Sequence, residues 1–303
     1  RGSFRVIDSR VRSGLLWAFV AVFLWSFTVP LTKVAVEGFS AVFTATGRAV
    51  IAGIVAAIVL AVRRVPPPPR HLWRPLAYVM LGTVFGWPIF MAIALNSTTA
   101  AHASVIAAFL PLATAIFAVA IAHERVTRTF WVAATVGTIA VIAFSLSRGG
   151  VGPGSLLADG LLILGVIAAS LGYVFGVDAT RSLPGWQVVS WVVVAALPIT
   201  IPVSAYLWLF ADGVRSPDGS QWSALVVLGL SSMYLGFFAW YRGLSQAGTA
   251  YGGQVQQLQV LLSLLWSALL LGEAVTWVTI LAAVAVVGAV TWAQLSRGKN
   301  PIV

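Results

Sequence analysis

The chain reads as long apolar runs broken by short polar interruptions. A membrane-spanning helix needs about 20 mainly apolar residues. Ten segments meet that requirement, at roughly 14–35, 39–62, 75–96, 99–122, 128–147, 158–178, 185–208, 222–243, 249–271 and 275–295. Between them lie turn-forming stretches such as Val65-Pro66-Pro67-Pro68-Pro69 and Gly149-Gly150-Val151-Gly152-Pro153-Gly154. None is long enough for a soluble domain. Barrel strands alternate apolar and polar residues, and these runs do not. The pattern predicts an all-α integral membrane protein of ten transmembrane helices.

Composition sharpens this. Of 303 residues, 60% are hydrophobic and 9% charged, with a mean hydropathy of +0.97. So few charges cannot cover a water-soluble surface, so lipid is the expected solvent. The net charge of +10 looks like a nucleic-acid signal until the basic residues are located. With the N-terminus in the cytoplasm, fourteen fall on the cytoplasmic side and only Lys33, Arg148 and Arg215 outside, while Arg48 lies within a helix. That asymmetry orients a multi-pass membrane protein with both termini cytoplasmic, and removes nucleic acid from the partners. The expected partners are the bilayer and a small-molecule substrate, with a monomer as the unit. Arg1-Gly2-Ser3 has the look of a tag remnant.

The chain also repeats itself. Gly14-Leu15-Leu16 recurs as Gly160-Leu161-Leu162, Leu81-Gly82 as Leu228-Gly229, and Thr99-Ala100 as Thr249-Ala250. Glu124-Arg125-Val126-Thr127 recurs as Glu273-Ala274-Val275-Thr276, and Leu146-Ser147-Arg148-Gly149 as Leu295-Ser296-Arg297-Gly298. The offsets stay between 146 and 150. This divides the chain into an N-terminal segment (1–13), a first repeat (14–147), an outer linker (148–157), a second repeat (158–295) and a tail (296–303). Five helices per repeat is an odd number, so the halves are expected to be inverted, as in alternating-access carriers.

These residues carry a resemblance. Leu24-Trp25-Ser26 followed by Lys33, Gly47-Arg48 with Ala52, Ala94-Leu95 with Thr98, Leu110-Pro111-Leu112, and the two Glu-x-Val-Thr stretches are similar to the pattern of the drug/metabolite transporter superfamily. In particular the chain resembles its EamA-type ten-helix members. It departs at Val260, where the family often has proline. The resemblance implies a transporter of small metabolites in a bacterial inner (plasma) membrane, and within the group an exporter of aromatic or other apolar amino acids.

Candidate residues follow from what is costly in lipid. Arg48 lies about 13 Å into the second helix, near the midplane. A charge there costs at least ~2.5 kcal/mol unless it meets a cavity or partner. It is either an anchor for a substrate carboxylate or a tie between helix ends. Gln254, Gln256, Gln257 and Gln259 crowd the ninth helix, as a polar cavity wall or as interhelical glue. Trp25, Trp87, Tyr173 and Tyr234 lie deeper than an interfacial belt requires, and Tyr78 sits at its edge. These aromatics suit an apolar cargo or simple packing. His102, near the outer mouth of the fourth helix, has the chemistry to relay a proton. Lys33 is placed to snorkel, and Pro30 to bend the first helix. Glu124 and Glu273 are expected to cap or bridge helix ends rather than touch cargo.

Other chemistry is thin. There is no cysteine, the three histidines follow no metal-ligand spacing, and all eight acids fall in loops or at helix ends. No catalytic residues, metal or cofactor are expected. A carrier for sugar phosphates or nucleotide sugars stays open on the same fold, as does an intramembrane lipid-modifying enzyme. The first wants more basic residues in the cavity, the second clustered acids or histidines.

Overall fold

The structure, a computed structural model, describes residues 9–94, 106–107, 109–147, 156–210, 217–259, 261–262, 266 and 277–296. Among the described residues every regular element is a helix. Four helical stretches are long and apolar enough to cross a membrane: Ala41–Val62, Leu156–Ala179, Gly185–Phe210 and Gly219–Ala247. Large apolar side chains such as Leu156, Leu164, Leu281 and Val284 stay exposed on their outer faces, as a lipid-facing surface requires.

The first predicted span is interrupted. Helices α1 (Ser9–Ser26) and α2 (Thr28–Gly38) meet at Phe27. Pro30, three residues on, has no N–H to continue the ladder. Ser40 then caps α3 (Ala41–Val62), its Oγ accepting from the Phe43 N–H at 3.1 Å. The third predicted span holds α4 (Trp73–Val79), a π-helical segment (Met80–Gly86) and α5 (Trp87–Ala94). Described parts of the fourth and fifth spans are α6 (Leu110–Ala120) and α7 (Arg128–Ser147).

The later part of the chain follows with α8 (Leu156–Ala179) and α9 (Gly185–Phe210). Next come α10 (Gly219–Val227), a second π-helical segment (Leu228–Leu235) and α11 (Gly236–Ala247). Gly248, at φ 82°, turns the chain into the short α12 (Thr249–Gly253). A 3-10 turn (Gln254–Gln257) and α13 (Trp277–Leu295) complete the described elements.

Packing joins early helices to late ones. α1 lies on α11, α3 on α9, α5 with the first π segment on α8, α6 on α12, and α7 on α13. Small residues make the crossings close. A Cβ on Gly14 would stand 2.7 Å from the Ala247 nitrogen. One face of α3 carries Ala45, Ala49, Ala52, Gly53 and Ala56, and a Cβ on Gly53 would stand 2.5 Å from Leu197 Cδ2.

Candidate functional site

Four aromatic rings meet where α1, α8 and α11 converge. Trp25 stacks on Tyr173 with centroids 6.1 Å apart and planes 14° apart. It also meets Phe237 and Trp240, each at 5.1 Å. Tyr173 closes the box against Trp240 at 5.3 Å. Trp25, Tyr173 and Trp240 are all buried.

Polar groups surround this box. The Trp25 indole donates to the Ser232 carbonyl at 2.9 Å, in the second π segment. Thr28, just past the break at Phe27, bonds the Ser232 hydroxyl at 3.2 Å. Gln256 donates to the Tyr173 hydroxyl at 3.4 Å. Two buried atoms here have no hydrogen-bond partner, Gln256 Oε1 and Trp240 Nε1. Leaving a buried acceptor or donor unpaired costs about 1–3 kcal/mol, so such atoms mark places worth a functional reading.

The other glutamines turn to a helix seam, although the buried Gln257 Oε1 also lacks a hydrogen-bond partner. Gln254 donates to the Pro111 carbonyl at 3.1 Å, and Gln257 donates to Gln254 Oε1 at 2.7 Å. A Cβ on Gly137 would overlap the Gln257 amide. This pair therefore fills a seam between α6 and α7. The geometry follows from the 3-10 turn, in which residues three apart eclipse. Gln259 is half-buried beyond it.

The remaining candidates scatter. Arg48 sits on α3 beside the second π segment, where a Cβ on Gly229 would stand 3.0 Å from the Arg48 carbonyl oxygen. Its Nε is buried with no hydrogen bond, and it makes no ion pair among the described residues. Tyr234 is satisfied by Ser190, at 2.8 Å. Trp87 packs over Gly165 of α8. Tyr78 is largely exposed and tilts onto Phe175, centroids 4.8 Å apart. His102, Glu273 and Val260 lie outside the described residues, as do the side chains of Pro30 and Lys33.

Glu124 has the bridging role expected of it. Its two carboxylate oxygens accept the N–H groups of Thr249 (2.7 Å) and Ala250 (2.9 Å) at the start of α12. Thr127, three residues on, accepts from the Phe130 N–H to cap α7 and donates to the Ser296 carbonyl at 3.0 Å. The Glu-Arg-Val-Thr stretch thus stitches early helices to late ones. Sequence reasoning left Phe237 and Trp240 out of the site. The spacing Phe237, Trp240, Tyr241, Leu244 repeats one helical face and was the available signal.

The arrangement is all-helical among the described residues, with spans apolar enough to cross a membrane, and comparison with known proteins gives its family. The profile of the EamA-like transporter family matches twice, over residues 12–146 and 156–293. The chain belongs to the EamA-like transporter family. It is 35% identical over 294 residues to the Uncharacterized transporter YdeK of Bacillus subtilis, covering 94% of this chain and 98% of that protein. It is 27% identical over 256 residues to the Aromatic amino acid exporter YddG of Ancylobacter novellus, covering 82% and 83%. A solved crystal structure shares the fold with a TM-score of 0.79 at 23% identity, over 93% of this chain and 98% of that one.

Proposed function

We propose that this transporter exports amino acids with aromatic or other apolar side chains across a bacterial inner membrane by alternating access. The observation that carries this is the box of Trp25, Tyr173, Phe237 and Trp240, edged by the unpartnered Gln256 Oε1 and Trp240 Nε1. It lies between helices of the two family-matched segments, where relative movement of the halves would open and close it. An amino acid's side chain suits the rings and its ammonium suits the Gln256 carbonyl; Arg48, outside the box on α3 but against the same π segment that bonds Trp25, is the proposed anchor for its carboxylate.

Ten helices in two inverted five-helix repeats fit this reading, with both termini cytoplasmic. The twofold family match, the early-to-late helix pairing and the two π segments, 148 residues apart at their starts, support it. π-helical turns occur often at functional sites. The name of the Ancylobacter relative points to the same cargo class.

Uptake of labelled Phe, Thr and a nucleotide sugar into proteoliposomes tests the cargo. Phe transport that falls in Trp25→Ala and in Arg48→Gln is the expected result. Transport of the nucleotide sugar alone, or of none of the three, sinks it.

A further inference from the structure

A groove opens on the protein surface near the start of α1, lined by Ser9, Arg12, Ser13, Leu16, Trp17 and Val20. Its two ends differ in chemistry. Ser9, Arg12 and Ser13 make one end polar and cationic, while Leu16 and Val20, 66% and 42% exposed, make the other apolar. A second cation comes from α11. The Arg242 guanidinium lies over the Trp17 ring, 4.6 Å from its centroid. Trp17 itself packs edge-on to Phe238 at 5.8 Å. The close crossing of α1 and α11 at Gly14 and Gly243 keeps the two arginine-bearing helices together. Arg12 is exposed and forms no ion pair or hydrogen bond among the described residues.

We propose that this groove binds one anionic phospholipid. The phosphate sits between Arg12 and Arg242, the Ser13 hydroxyl donates to it, and an acyl chain lies along Leu16 and Val20. Arg12 to Val20 spans about 12 Å of helix, which matches the step from headgroup into hydrocarbon. Arginine near a membrane surface favours anionic lipid. A soluble anion would leave the apolar half of the groove uncovered, and a zwitterionic headgroup brings its own cation to the arginines. Arg12 belongs to the first family-matched segment and Arg242 to the second, so the lipid bridges the two. The inference stands on the groove alone and does not depend on the cargo.

The test uses the full chain, stripped of lipid in detergent, by native mass spectrometry and thermal melting. Dioleoyl-phosphatidylglycerol, dioleoyl-phosphatidylcholine and inorganic phosphate are added separately. The glycerol lipid should bind and raise the melting temperature, and the other two should not. Arg12→Gln and Arg242→Gln should each weaken its binding about fivefold, and Arg242→Lys should retain most of it. If Arg242→Gln does not fold, Arg12→Gln at its exposed position carries the test. Unchanged binding in Arg12→Gln, equal binding of the choline lipid, or a full shift with phosphate alone overturns the proposal.

Discussion

The two π-helical segments, Met80–Gly86 and Leu228–Leu235, share a backbone and differ in what they do with it. In the first, Gly82 and Gly86 press against Ala168 of α8, and Thr83 packs on Gly172. The Thr83 hydroxyl turns inward to its own helix, bonding the Val79 carbonyl at 2.8 Å. In the second, Ser232 presents both carbonyl and hydroxyl to α1 and α2, where Trp25 and Thr28 bond them. One segment is a close-packed, apolar seam and the other a polar junction beside the aromatic box. The π turn is thus a property of the fold, while side chains decide which copy can meet a polar ligand.

This contrast can be broken in order of effect. The largest follows from Gly82→Ala, whose methyl would overlap the Ala168 carbonyl oxygen. Overpacking of this kind costs about 1–3 kcal/mol, and thermal melts should show it. Gly229→Ala in the second segment meets its nearest atoms at 3.0 Å, and its loss should be smaller. Equal losses would remove the distinction.

Next comes Glu124, which joins the segments' two halves through α12. Glu124→Ala leaves two helix-end N–H groups without their charged acceptor and should cost about 2 kcal/mol. Glu124→Gln keeps one good acceptor and should recover part of it. Chemical denaturation of both variants measures the difference.

A smaller change separates the segments' side chains. Trp25→Phe removes the indole donor to Ser232 and should cost about 1 kcal/mol. It should also slow Phe transport in proteoliposomes. Thr83→Val in the first segment removes a bond within its own helix and a side-chain hydrogen bond with Tyr241 but touches no group of the Ser232 junction, and transport should stay nearer to wild type. A variant pair with equal transport rates would argue against a polar role for the second segment.

The smallest effect lies at the helix starts. Asp218 caps the helix that leads into the second segment, accepting from Ser220 N–H at 2.7 Å, while Gln221 returns a bond to the Asp218 N–H at 2.6 Å. α4, leading into the first, has no side-chain cap. The Ser220 hydroxyl, then its backbone N–H, hold the Asp218 carboxyl below its ordinary range. A lowered folded value means the cap's contribution is present above the unfolded pKa and is lost as pH falls through the folded one. The melting gap between wild type and Asp218→Ala should therefore narrow in acid, below the usual carboxylate range.

Much of the fold was legible because burial in lipid demands long apolar runs and leaves few other readings. The bridging role of Glu124 followed from residue chemistry at a chain reversal. The π segments did not. A uniformly apolar run carries no hydrophobic period from which 3.6 and wider windings can be told apart. Of the candidate residues, Trp25 and Tyr173 come together because both lie inside their predicted spans, Trp25 just ahead of the break at Phe27. Trp240 escaped notice because it follows Phe237 and Phe238 in an aromatic stretch that reads like an interfacial belt. The glutamines could not be sorted by α-helical faces, since Gln254–Gln257 winds as a 3-10 turn and eclipses the outer two.

Glu124 grips main-chain nitrogens, not side chains. The identity of the residues at 249 and 250 is therefore invisible to it, and any amino acid with an N–H serves. Proline alone would deny it a donor at either place. A protein built this way can let the start of α12 drift in sequence while the fastening underneath stays as it was.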